Sequence, residues 1–152
     1  MRHFAILGLL MHALSAAAGA GALVVVTHPD FPAGDIRVDD LSRVFLGQTQ
    51  RLGSAALNPV NKEAGSPDRT LFDQKVHHMD DAAMKDYWLA ARIKGEGHPP
   101  RSFQSDAAVL RYVSSVPGGI GYVAYPLTGA GVRALTVNGA APAEGSYPLR
   151  GP

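Results

Sequence analysis

Apolar residues in this chain follow two patterns, short continuous runs and positions spaced three and four apart, and the two alternate along its length. Ala22-Leu23-Val24-Val25-Val26-Thr27 is a continuous β-branched run stopped by His28-Pro29, which predicts a strand buried on both faces. Leu41, Val44 and Phe45 then follow helical spacing, with Asp39 as the expected cap and Gly47 placed to end the helix. Leu57 to Val60 is a strand candidate that Pro59 weakens. A helix is predicted from Ser66 to about His77, with Phe72, Val76 and Met79 on one face, and Asp80 or Asp81 caps the next. In that next helix Met84, Tyr87, Trp88 and Ala91 occupy positions i, i+3, i+4 and i+7, and Arg92, Lys94 and Gly95 close it. Gly95 to Pro100 reads as a turn-rich connection. Ser105 caps a fourth helix with Val109, Tyr112, Val113 and Val116 inward, ended by Pro117-Gly118-Gly119. Ile120 to Ala124 and Val132 to Val137 predict two more strands, and residues 138–152, rich in Gly, Ala and Pro, a loose tail.

Strands alternating with helices imply an α/β domain with a small mixed sheet, in which ligands collect at loops beyond strand ends. The first twenty residues read as a secretory signal peptide: Arg2 is the positive start, Phe4 to Leu14 the apolar stretch, and Ala18-Gly19-Ala20 the cleavage site. That division predicts a leader over 1–20, one α/β domain over 21–137 and the tail over 138–152, with no membrane span in the mature chain. The chain has no cysteine, which excludes a disulfide framework, a thiolate metal site, a cysteine nucleophile and a thioether lipid anchor. Its formal net charge is +1, and loss of Arg2 with the leader brings it close to neutral, so no global field favours nucleic acid or an anionic membrane.

Local chemistry therefore has to choose the partner, and Gly65-Ser66-Pro67-Asp68-Arg69 is where it concentrates. The first amides of a helix lack intrahelical acceptors and sit at the positive end of its dipole, so an oxyanion docked there satisfies both. A hydroxyl at Ser66 and a guanidinium at Arg69 would add charge-assisted bonds. The same residues also make a plain helix start, with Ser as N-cap, Pro in the first helical position and Asp in the first turn. Asp68 has two readings as well: a carboxylate complementing the helix dipole, or an acceptor for the proton of monohydrogen phosphate.

Several blocks line up in one order: Leu41 to Gln48, Val60-Asn61 before Gly65-Ser66-Pro67, the Phe72 helix, Trp88 with Lys94-Gly95, and Pro117-Gly118-Gly119-Ile120-Gly121-Tyr122-Val123. From Val24 to Val137 this resembles the periplasmic substrate-binding proteins of phosphate ABC importers, in particular short single-lobe relatives. The resemblance implies a single lobe of a type II periplasmic-binding-protein-like fold, a small mixed sheet flanked by helices. It implies reversible binding of phosphate or a similar oxyanion by Gly65, Ser66, Asp68, Arg69 and Thr70, in the periplasm after cleavage behind Ala20, with an ABC permease, a sensor or an outer-membrane protein as candidate partners. Two features depart from it: Pro67 has no N–H to donate, and the first-lobe anion loop of the larger relatives has no counterpart. An open site of this kind binds weakly unless a second copy of the chain, as in a homodimer, or another protein closes over it. The alternative implied is a periplasmic interaction or sensory adaptor that keeps the scaffold without a ligand.

Other motifs carry less. His77 and His78 are adjacent and point about 100° apart on a helix, so they do not face one ion, and no metal site or cofactor is expected. Gly129-Ala130-Gly131 leads into a strand rather than a helix, unlike a dinucleotide fingerprint, and nucleic-acid binding lacks a basic groove. Ser66 has no sequence partner that fixes a general base, so the chain is expected not to be an enzyme. Gly118, Gly119 and Gly121 are read as a tight turn and a strand needing close backbone approach.

Overall fold

In chain order the elements are β1 (Leu23–Thr27), β2 (Asp35–Ile36), α1 (Val38–Phe45), β3 (Arg51–Leu52), β4 (Ala55–Ala56), β5 (Asn58–Lys62), α2 (Pro67–Phe72), α3 (Asp81–Lys94), β6 (Arg101–Phe103), α4 (Asp106–Ser115), β7 (Gly119–Ala124), β8 (Arg133–Ala134) and β9 (Thr136–Val137), with a π-helical turn, Asp73–His77, continuing α2. This computed structural model describes residues 21–152, so the predicted leader, 1–20, lies outside the described residues.

Five strands form one mixed sheet in the order β6-β5-β7-β1-β8. β1 runs antiparallel to β7, from Leu23 opposite Ala124 to Thr27 opposite Ile120, and β5 runs parallel to both β6 and β7. The continuous apolar run in β1 follows from its position, since alternate side chains enter two different cores. Leu23 and Val25 join α1, α2, Ile120 and Tyr122 on one side, while Val24 and Val26 join Val60, Val109, Val113 and Val123 under α4 on the other. The result is a three-layer α/β arrangement with the sheet in the middle.

Pro59 sits inside a strand that has neighbours on both sides. Residues 58 and 59 pair only with β7, and pairing with β6 begins at Val60, so the missing N–H falls where one flank of the strand is open. β6 itself, over Arg101–Phe103, had no apolar signal because it is an edge strand of three exposed or half-buried residues.

Three expectations are corrected. Asp39 lies within the first turn of α1 and does not cap it; the residue before the helix is Arg37, without a side-chain cap bond, and the Val38 N–H is accepted by Asn138 Oδ1 at 2.9 Å. The predicted strand Val132 to Val137 is divided, with β8 on the main sheet beside β1 and β9 paired parallel with β2, while Leu135 between them is buried. Residues 138–152 do not form a loose tail: Ala140, Tyr147 and Leu149 are buried in the main core, and the Leu23 N–H donates to Leu149 C=O at 2.9 Å. Their apolar residues are few, but the three that enter the core close it beside Leu23 and Val25.

Glycines set two close approaches. A Cβ at Gly118 would stand 2.3 Å from the Ala56 carbonyl oxygen, and φ there is +77°. At Gly121 it would meet Val109 at 2.9 Å and Val60 at 3.1 Å, so the absent side chain is what lets α4 lie against β7. Both agree with the expected turn and close strand packing.

Candidate functional site

The turn Glu63 to Ser66 connects the end of β5 to the start of α2. Ser66 is the N-cap: its Oγ accepts from the Arg69 N–H at 3.3 Å and donates to the Glu63 C=O at 2.7 Å. Pro67 occupies the first helical position, where a missing N–H is harmless. Among the described residues, the amide N–H groups of Gly65 and Asp68 have no acceptor in the chain. Gly65, at φ +84°, faces open space, with nothing within 4 Å of where a Cβ would stand.

Of the five predicted residues, the structure therefore presents two amides and turns three side chains elsewhere. Ser66 spends its hydroxyl on its own turn. The guanidinium of Arg69 points inward, with Nε 2.7 Å from Asp73 Oδ2 and Nη1 3.2 Å from the Lys62 C=O, because burial of a cation needs a carboxylate beside it. The Thr70 hydroxyl lies 3.5 Å from Asp81 Oδ1, and its amide follows the helix to the Ser66 C=O.

Sequence reasoning missed Lys62. Its side chain is 8% exposed at the last position of β5, with Nζ 2.5 Å from Asp106 Oδ1 and 3.8 Å from Asp68 Oδ2. Asp106 opens α4 and accepts the Ala124 N–H on its other oxygen at 3.2 Å. One ammonium thus joins the starts of α2 and α4 to the end of β5. Burial pushes the Asp68 carboxyl above the usual carboxylate range; Lys62 works against that shift and Asp106 adds to it. The available signal was a lysine ending the run Val60-Asn61-Lys62 just ahead of Gly65-Ser66.

Behind Arg69 the buried polar chain continues. Asp73 Oδ1 stands 3.9 Å from His77 Nε2, and His77 Nδ1 shares a 2.9 Å hydrogen bond with Ser42 Oγ. Burial pulls the imidazole down to about 4, so it is neutral near pH 7. The Asp–His separation is too long for a hydrogen bond, so the Asp73, His77 and Ser42 side chains are not joined in one continuous relay. His78 is exposed, and among the described residues no group of three or more His, Asp or Glu side chains is placed to share a metal ion.

Compared by sequence, the chain matches no protein-family model and no curated protein. Compared by structure, it matches an ABC-type phosphate transport receptor from Vibrio cholerae with a TM-score of 0.70 at 17% identity, covering 87% of this chain and 54% of the receptor. Over the matched span the chain has the fold of such a receptor. PstS from Borrelia burgdorferi matches with a TM-score of 0.59 at 20% identity, over 80% of this chain and 49% of that one. A protein from Clostridium perfringens described as a phosphate ABC transporter substrate-binding protein, with bound phosphate, matches with a TM-score of 0.63 at 17% identity, over 80% and 46%. This chain spans about half the length of these structures. No helix among the described residues is long and apolar enough to cross a membrane.

Proposed function

We propose that this protein is an exported solute-binding module that holds phosphate or a similar oxyanion reversibly at the β5–α2 turn, in the periplasm and in the service of phosphate ABC import. The observation that carries the reading is the conjunction at one strand end of a buried ammonium, Lys62, with two unpartnered amides, Gly65 and Asp68. Support at the level of the fold comes from the likeness to phosphate receptors, one with bound phosphate.

Geometry also limits the strength of binding. Lys62 is already flanked by two carboxylates, so an incoming anion must compete with Asp68 for the ammonium or meet that group protonated. A single helix start contributes only about 0.3 to 1 kcal/mol to an exposed charge. Millimolar affinity follows unless a partner closes over the site. Titrating the protein with phosphate and with sulfate, read by amide chemical shifts, tests this. Saturable shifts at Gly65 and Asp68, tightened in Asp68→Asn, support the reading, and unmoved amides at high millimolar anion overturn it.

A second reading, an interaction or sensory adaptor that keeps the scaffold without ligand, is favoured by one observation: Lys62 and Arg69 both find carboxylate partners inside the chain. In that case the Asp68→Asn variant leaves the anion titration flat.

A further inference from the structure

A groove of about 890 Å³ is lined by both the β5–α2 turn, through Ala64 and Gly65, and α3. Met84, Trp88, Leu89 and Pro99 give it an apolar wall. Leu89 is 55% exposed, one of the few large apolar side chains that the described residues leave open to solvent. Sites of this volume hold organic molecules, and a bare oxyanion at the turn would leave most of the groove to water.

Arg69 lines the same groove with a side chain only 8% exposed. Its Nε donates to Asp73 Oδ2 at 2.7 Å and its Nη1 to the Lys62 C=O at 3.2 Å. Nη2 has no acceptor among the described residues, and it is not one of the unpartnered side-chain atoms that packing covers completely. The Nη1 bond holds the guanidinium against the strand end just before Gly65, whose own N–H is also without an acceptor. A largely buried cation thus keeps one donor edge open beside the turn.

We propose that the site takes a phosphate monoester with an apolar organic group, its head on the Gly65 amide and Arg69 Nη2 and its organic group along Met84, Trp88 and Leu89. The inference rests on the oxyanion reading and names the ligand class for it. A monoester head keeps three terminal oxygens, enough for both donors, and guanidinium-to-phosphate bonds are charge-assisted. The exposed charges that α3 brings to the groove, Asp81, Lys85, Asp86 and Arg92, are of both signs and balance. A neutral tail therefore suits the groove better than a second charged group.

Trp88 is the single tryptophan and lines the groove, so its fluorescence reports on the organic group, while the Gly65 amide resonance reports on the head. The protein is titrated with inorganic phosphate, with n-butyl phosphate and with n-butanol. The butyl ester is expected to move both probes and to bind at least about tenfold tighter than phosphate, through burial of its methylene groups. Phosphate moves the Gly65 amide alone, and n-butanol moves neither. Leu89→Asn, at an exposed position, brings the ester down to the affinity of phosphate and leaves phosphate itself unchanged. Arg69→Lys, which keeps a cation beside Asp73 and removes Nη2, weakens both by about tenfold. Equal affinity for phosphate and its ester, a silent Trp88, comparable binding of n-butanol, or an unchanged preference in Leu89→Asn overturns the proposal, as does unchanged binding in Arg69→Lys. If phosphate shifts the Gly65 amide while the ester gains nothing, the oxyanion reading stands and this inference falls; amides unmoved by either compound remove both.

Discussion

Lys62 Nζ lies 2.5 Å from Asp106 Oδ1, a contact that ties the end of β5 to the first turn of α4 across forty-four positions of sequence. Replacing Lys62 by Met leaves Asp106 and Asp68 near one another with no cation between them. A destabilisation of about 2 kcal/mol is expected, read as a lower urea midpoint, because removing one partner strands the other. Lys62→Arg keeps the charge and should recover most of it.

Acid sensitivity should centre on His77. Its folded-state value, about 4, lies below the ordinary 6.5, so the unfolded chain binds the proton more readily between those limits. Stability is fully present above pH 6.5 and falls as pH drops toward 4, by up to about 3 kcal/mol. Asp73 and Asp68, both raised chiefly by burial, act in the opposite sense and gain stability as they protonate. His77→Gln should flatten the slope in that window, and an unchanged pH profile of the thermal midpoint would refute the assignment.

The C-terminal segment should be indispensable. Leu149 is fully buried among Leu23, Val25 and Tyr147, and Leu149→Ala is expected to cost about 3 kcal/mol by opening a cavity. Truncation after Asn138 removes Ala140, Tyr147 and Leu149 together, and the expected product lacks a cooperative unfolding transition.

Gly118→Ala should destabilise by about 2 kcal/mol or more, since it combines a left-handed backbone with a 2.3 Å approach to the Ala56 carbonyl. Gly53→Ala shares the positive φ but meets open space, so it isolates the backbone strain from the steric clash. Chemical denaturation of the pair separates the two contributions, and equal losses would show that the Ala56 contact is immaterial.

The same contrast between local and distant causes runs through the whole chain. Ser66, Asp80 and Ser105 were legible as caps, because each accepts from the amide three residues ahead and needs nothing beyond its own turn. Asp39 was not, since the group that caps α1 is Asn138, brought there by the pairing of β2 with β9. At the candidate site Gly65 and Ser66 were visible as a turn and a helix start. The inward rotation of Arg69 toward Asp73, and the presence of Lys62 at all, were not visible.

Sequence by itself determined the alternation of strands and helices, the double-faced burial of β1 and the position of the Ser66 turn, because hydrophobic period, capping hydroxyls and proline act over a few residues. Tertiary structure alone decided that Pro59 is tolerated beside an unpaired flank, that residues 138–152 complete the core, and which carboxylate each buried cation meets. Those outcomes depend on segments far apart in the chain, and desolvated charges are placed by whatever partner the packed fold brings within reach.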